Sequence, residues 1–335
     1  MASCLRLGLA VLIGLAALPA IADDKPTLTV YTYDAFAADW GPGPGLKSGF
    51  EAVCGCTLDF VAAGSSIGAL RRVQLEGDTS KADIVLGLDN SVAAEARATG
   101  LFAPHEQDLS GLDLPLAWTD DTFVPFDYGY FAFDYNKKTV ANPPASFEEL
   151  IARPDSFKIA IEDPRSDTPG LGLVLWIKAA YGDRAAEIWK GLRPHVLTVA
   201  RDWSEAYDLF LKGEADMVLS YTTSPAYHLI AENNPDYAAA DFTEGLYPQI
   251  EVAGILKLSP NKELARRFMA WLVSHDAQKV LPTTNWMYPV IDLGKDLPEG
   301  FSGMIEPKKV LHIDEKDILA NKSAWVEEAL SALGQ

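Results

Sequence analysis

Basic residues are scarce. Only 28 Lys and Arg stand against 47 Asp and Glu in 335 residues, a formal charge of −19. That balance argues against nucleic acid as a partner, because neutralising phosphates needs a basic face. It argues equally against an anionic membrane surface. A cationic ligand and a plain acidic surface both remain open. Cysteine is rarer still, with three residues, and histidine numbers five. No histidine or second cysteine pair follows Cys54-Gly55-Cys56 at zinc spacing. There is no P-loop, no G-x-G-x-x-G and no H-E-x-x-H, so neither a metal nor a cofactor is expected. Beyond the first 22 residues no apolar run reaches the ~20 residues needed to span a bilayer. No repeat of 20–50 residues and no Gly/Ser linker is visible. What is there is ordinary globular material, 48% hydrophobic and 22% charged. The length suggests about two domains.

The N-terminus reads as a secretory signal over residues 1–22. Arg6 supplies the positive start, an apolar run follows, and Ala20-Ile21-Ala22 fits small-x-small cleavage. An uncleaved anchor is the alternative, but the run is short for one. Cys4 lies too early for a lipoprotein. The mature chain is therefore expected to be soluble and exported. An oxidising compartment favours a disulfide between Cys54 and Cys56, with a metal site or a redox role as alternatives.

Strand and helix patterns alternate. Leu28–Tyr33, Cys56–Ala62 and Ala82–Leu88 read as strands. Gly45–Val53, Ile67–Glu76 and Ser91–Thr99 read as helices. A second set follows Val124, with strands near Pro125–Tyr135, Lys158–Ile161 and Met217–Ser220 and helices at Gly172–Tyr181 and Ala185–Leu192. The order implies an α/β fold with a mixed, mostly parallel sheet and helices on both faces. Val124–Tyr130 and Gln249–Leu256 are extended runs between helical blocks, and they are expected to cross between two lobes as a hinge. Lobe 1 would comprise residues 23–124 and 252–290, and lobe 2 residues 125–251. Residues 291–335 form a tail, helical near Trp325–Leu333, whose lobe the sequence leaves open. A hinged clamp buries its ligand in the cleft between lobes.

Aromatic residues gather where strands end, at Tyr31–Asp34, Asp202–Tyr207, Ser220–Tyr227 and Asn285–Pro289. Open α/β sheets place ligands at such ends. Ring faces suit a flat cation, and Asp34 and Asp89 would add to the attraction. Packing in the core is the bland account of any one ring. Ser204 is expected to cap the helix that starts near Trp203. Thr222, Thr223 and Ser224 before Pro225, and Ser166–Gly172 with Pro169, mark two further helix starts that can present donors. A competing signal is Gly64-Ser65-Ser66-Ile67-Gly68, a G-x-S-x-G between strand and helix. It would make Ser66 a hydrolase nucleophile, with His275 or His312 as base. No oxyanion segment of the H-G-G-G kind accompanies it.

Several strings are long and unusual: V-Y-T-Y-D-A-F-A-A-D-W-G-P-G-P (Val30–Pro44), A-D-I-V-L-G-L-D-N (Ala82–Asn90), D-T-F-V-P-F-D-Y-G-Y-F-A-F (Asp121–Phe133), W-S-E-A-Y-D-L-F-L-K-G-E-A-D (Trp203–Asp216), L-S-Y-T-T-S-P-A-Y-H (Leu219–His228) and N-W-M-Y-P-V (Asn285–Val290). They resemble the periplasmic thiamine-binding proteins of bacterial ABC-type importers, over roughly residues 27–290. The resemblance implies a two-lobed binding protein of the second periplasmic class. Such a protein captures thiamine, with its phosphates as further ligands, and passes it to an inner-membrane ABC permease. It implies a monomer without catalytic activity. Carried over by position, Tyr33, Tyr227 and Trp286 would flank the rings and Trp203 would line the site. Ser166, Asp167 and Thr168, with Tyr221, Thr222, Thr223 and Ser224, would meet the polar end. Ser65 and Ser66 occupy the loop that supplies polar contacts from lobe 1.

Two positions depart from that pattern. Ser65-Ser66 stands where the family often has an acidic residue followed by Gly. Asp167 stands where a small hydroxyl residue is common, and its charge would repel phosphate. Capture of another small cation, such as a thiamine precursor or a polyamine, is the alternative within the class. A secreted serine hydrolase is the alternative outside it.

Overall fold

The computed structural model describes residues 25–335, so the expected signal segment lies outside the described residues. Eleven strands are present among them: β1 Thr27–Thr32, β2 Thr57–Ala62, β3 Ile84–Asp89, β4 Phe102–Ala103, β5 Phe123–Asn136, β6 Ile159–Glu162, β7 Val196–Ala200, β8 Met217–Tyr221, β9 Tyr237–Ala239, β10 Pro248–Leu256 and β11 Tyr288–Pro289. The main path runs β2-β1-β3-β10-β5-β8-β6-β7. Pairs β1–β2, β1–β3, β6–β7 and β6–β8 are parallel. All pairs involving β5 and β10 are antiparallel. The sheet is thus mixed, and its parallel parts lie at the two ends of the path.

β5 and β10 are the crossing strands. The first half of β5, Phe123–Tyr130, pairs with β10, and its second half pairs with β8 and β9. A 14-residue strand with this pairing ties both halves of the molecule to one backbone, and no floppy tether is needed.

Packing around the first half follows the two-residue period of a strand. Leu28, Val30 and Leu86 face one cluster with Phe50, Phe126 and Phe268. Tyr31 and Val85 face the other, with Ile67, Leu70 and Val73, and Leu88 joins them out of step with Leu86 because Gly87, at φ 94°, and the register shift beside it interrupt the period. Full burial of a side chain such as Phe126 contributes about 2 kcal/mol. The helix Gly43–Cys54 turns Leu46, Phe50 and Cys54 inward at four-residue intervals and ends at Gly55, whose φ of 66° is easiest for glycine. Cys54 and Cys56 are bonded to each other across that glycine. The second half is built on a separate cluster around Phe131, Phe133, Phe147, Trp176 and Phe242. The indole N–H of Trp176 donates to the Gly245 carbonyl at 2.8 Å.

The tail is more ordered than its sequence suggests. A 19-residue helix, Glu315–Leu333, replaces the expected Trp325–Leu333. It packs on helices Thr168–Tyr181 and Ala185–Leu192, and it also reaches helix Ala93–Ala98 of the first half. Ion pairs Arg97–Glu315 and Lys322–Glu95 fasten that second contact. The cap of helix Trp203–Leu211 lies two residues before the expected one. Asp202, not Ser204, accepts the Glu205 N–H at 3.0 Å, because Ser204 already lies inside the helix. No helix among the described residues is long and apolar enough to cross a membrane.

Candidate functional site

One hydrogen-bonded chain of side chains runs between the two halves. It begins at Tyr33, just past β1. The Tyr33 hydroxyl lies 3.1 Å from Glu251 Oε2 and 3.1 Å from Asn285 Oδ1. Gly87 is needed beside it, since a Cβ there would fall 2.4 Å from the tyrosine ring. Asn285 donates to Asp127 at 2.7 Å and to Glu251 at 3.1 Å. Glu251 and Asp127 are register partners on β10 and β5. Two carboxylates therefore sit side by side at the crossing. Gln249 links Glu251 to the far half, and its Oε1 accepts the Tyr221 hydroxyl at 2.9 Å. Tyr221 stacks on Phe131 with centroids 5.5 Å apart.

Burial pushes Asp127 up to about 7, opposed by the Asn285 amide. Burial and then the Asp127 carboxylate push Glu251 well above its usual range. Burial and Glu251 raise the Tyr33 phenol in turn. The cause is elementary: an ionised carboxylate out of water needs a counter-charge, and two of them repel. Asp127 Oδ1 is buried without a protein hydrogen-bond partner. The pair is thus a seat suited to a cation.

At the other end, the loop before helix Ser66–Glu76 meets the loop before helix Thr168–Tyr181. Ser65 caps its own helix, accepting from Gly68 N–H at 3.3 Å, and its hydroxyl donates to the Ser166 carbonyl at 2.5 Å. The Ser66 hydroxyl donates to Asp167 Oδ1 at 2.9 Å, lies 2.9 Å from Thr168 Oγ1 and accepts the Thr168 N–H at 3.1 Å. A serine of one half thus caps a helix of the other. Asp167 Oδ2 accepts the Trp203 N–H at 2.9 Å, and the Trp203 indole donates to Ser220 at 2.9 Å. Ser220 and Ser224 hydroxyls are 2.7 Å apart, and Ser224 accepts from Tyr221 N–H. Burial pushes Asp167 up to about 6, against the pull of Ser66.

Tyr227 and Trp286 form an edge-to-face pair with centroids 5.2 Å apart. Trp286 has φ of 58°, a left-handed backbone that costs a bulky residue roughly 1–2 kcal/mol. Such strain gathers at functional positions. Thr222 and Thr223 are fully buried, and their hydroxyls have no protein partner. Ser166 donates to the Arg201 carbonyl at 3.0 Å.

Asp34 stands apart from this chain. It is exposed, and its carboxylate accepts the Gly64 N–H at 2.8 Å, so it shapes the loop. Asp89 folds back onto Ser91 and works as a turn residue. Ser66 shares no hydrogen bond with a histidine among the described residues. His275 is half exposed and pairs with Asp296. Among the described residues no cluster of His, Cys, Asp and Glu is arranged to hold a metal ion. Sequence reasoning missed Asp127, Glu251 and Gln249, and it marked the Asn285–Pro289 string without giving Asn285 a role. The signal for the first two was an acid flanked by apolar residues in each crossing strand, Asp127 in β5 and Glu251 in β10.

A mixed sheet with two crossing strands and a polar, aromatic seam between its halves defines a clamp for a small solute. Residues 23–279 match the family described as bacterial extracellular solute-binding protein, and the chain belongs to that family. More particularly, the chain is 50% identical to the thiamine-binding periplasmic protein of Salmonella typhimurium over 94% of this chain and 95% of that one. It is 50% identical to the thiamine-binding periplasmic protein of Escherichia coli over 91% and 92% of the two chains. The solved structure of a periplasmic thiamin binding protein superposes with a TM-score of 0.90 at 49% identity, covering 93% of this chain and 97% of that one.

Proposed function

We propose that this chain is the periplasmic thiamine-capturing component of an ABC importer. The single observation that carries the reading is half identity with thiamine-binding periplasmic proteins over more than nine-tenths of both chains. The site chemistry agrees. Thiamine is a flat cation with two rings and a hydroxyethyl tail. Tyr33, Tyr227 and Trp286 flank the rings, each good cation–π contact contributing ~0.5–2 kcal/mol. Asp127 and Glu251 counter the positive charge. Ser166, Thr168 and Tyr221 to Ser224 meet the polar tail, with Trp203 alongside. Lobe 1 takes residues 23–124 and 252–290 and lobe 2 residues 125–251, a division that suits the antiparallel β5–β10 crossing. The chain works as a monomer, leaves its ligand chemically unchanged and hands it to an inner-membrane permease. Export uses the signal over residues 1–22, cleaved near Ala22.

Tryptophan fluorescence titration with thiamine tests this reading, with a polyamine as the rival cation and a fluorophosphonate probe for hydrolase chemistry. Saturable quenching by thiamine alone is expected. Quenching by the polyamine at lower concentration, or labelling of Ser66, would sink it.

A further inference from the structure

Asp167 is the last residue before helix Thr168–Tyr181, yet its side chain does not cap that helix. The lobe-1 Ser66 hydroxyl accepts the first N–H instead. The Asp167 carboxylate turns instead to helix Trp203–Leu211 and accepts the N–H of its first residue, Trp203. Its other oxygen takes the Ser66 proton. Ser66 and Asp167 thus join the N-terminal ends of a 14-residue and a nine-residue helix through one hydrogen-bonded link. Helix starts of this kind favour a single anion. The chain supplies that anion itself, from a residue only 5% exposed.

The surroundings leave little for a second anion. Glu162 is buried nearby with both oxygens lacking a protein hydrogen-bond partner. Asp202 caps helix Trp203–Leu211. The basic residues in these two turns, Arg165 and Arg201, are paired with Asp163 and Asp202. An incoming phosphate would have to displace Asp167 from both donors and then lie beside displaced and resident carboxylates.

We infer that Asp167 is a specificity residue: a built-in anion that fills the seat a ligand phosphate would take, so that the clamp selects unesterified thiamine over its phosphate esters. This rests on the reading of the cleft as a thiamine site.

Titration calorimetry tests it on the full chain and on Asp167→Ser and Asp167→Asn, each with thiamine, thiamine monophosphate and inorganic phosphate. The unaltered chain should bind the monophosphate at least tenfold more weakly than thiamine. Asp167→Ser should bring the two within about threefold or invert them. Asp167→Asn, which keeps the volume, should move the ratio the same way and serves if the serine form does not fold. Equal binding of both ligands by the unaltered chain would overturn the inference, as would a ratio unmoved in both variants. Should the unaltered chain ignore thiamine, the functional reading fails alone and the phosphate arm decides. Millimolar phosphate binding by the variants but not by the unaltered chain supports the built-in anion. Identical behaviour of all three forms overturns it.

Discussion

The two ends of the interlobe seam are both acidic, and they use their acids in opposite ways. At the rim, both Asp167 oxygens are engaged, one by Trp203 N–H and one by Ser66. At the crossing, Asp127 and Glu251 lie side by side with neutral partners, Asn285, Gln249 and Tyr33, and one Asp127 oxygen is free. A satisfied carboxylate is an internal ligand. A buried, underpaired couple is a request for a cation or a proton. Composition alone, with its excess of acids, gave no hint that the charge divides this way.

That contrast is breakable. The largest effect should come from Glu251→Ala, which removes one carboxyl of the couple and takes one hydrogen-bond partner each from Asn285 and Tyr33. A loss of buried charge-assisted contacts of about 3 kcal/mol would weaken thiamine binding roughly a hundredfold. A change under fivefold by calorimetry would show that the crossing does not hold the cation. Trp286→Ala comes next, with more than tenfold weaker binding from lost ring contact. An unchanged dissociation constant would remove that ring from the site.

Proton linkage sharpens the same contrast. Asp127 titrates near 7 in the folded chain, against an unfolded carboxyl near 4. The folded state then holds a proton that the unfolded state releases as pH rises between those values. The pair's contribution to ligand-free stability therefore falls across that window. A bound cation favours the ionised pair, so thiamine affinity should rise about tenfold from pH 5 to pH 8. An affinity that falls over that range contradicts the role of the couple. The smallest effect belongs to Cys54→Ser with Cys56→Ser. That disulfide closes a ring of three residues, so its removal should lower unfolding free energy by only about 1.5 kcal/mol. Thiamine affinity should stay the same, because neither sulfur touches the seam.

The sequence made local features legible and hid the long-range ones. Strand β1 and helix Ala185–Leu192 announce themselves through β-branched runs and helical periodicity, within a residue or two of their observed ends. The hydroxyl and aromatic strings at Ser166–Thr168, Ser220–Ser224 and Asn285–Trp286 also stood out, because many polar and ring side chains clustered at strand ends. Asp127 and Glu251 did not. They are 124 residues apart, and each is an acid set among apolar strand residues. Only antiparallel register makes them neighbours. The Ser66 cap on a helix of the other lobe is invisible for the same reason. Asp202 rather than Ser204 caps its helix because helix ends are decided by backbone dihedrals, and an Asp two residues upstream satisfies the same orphan donors.

One measurement bears on the central claim most directly: calorimetric titration of the chain with thiamine, followed by mass analysis of the ligand recovered from the saturated complex. One thiamine per chain, recovered at its full mass, is the predicted result. No saturable heat, or recovery of separated pyrimidine and thiazole fragments, would contradict it.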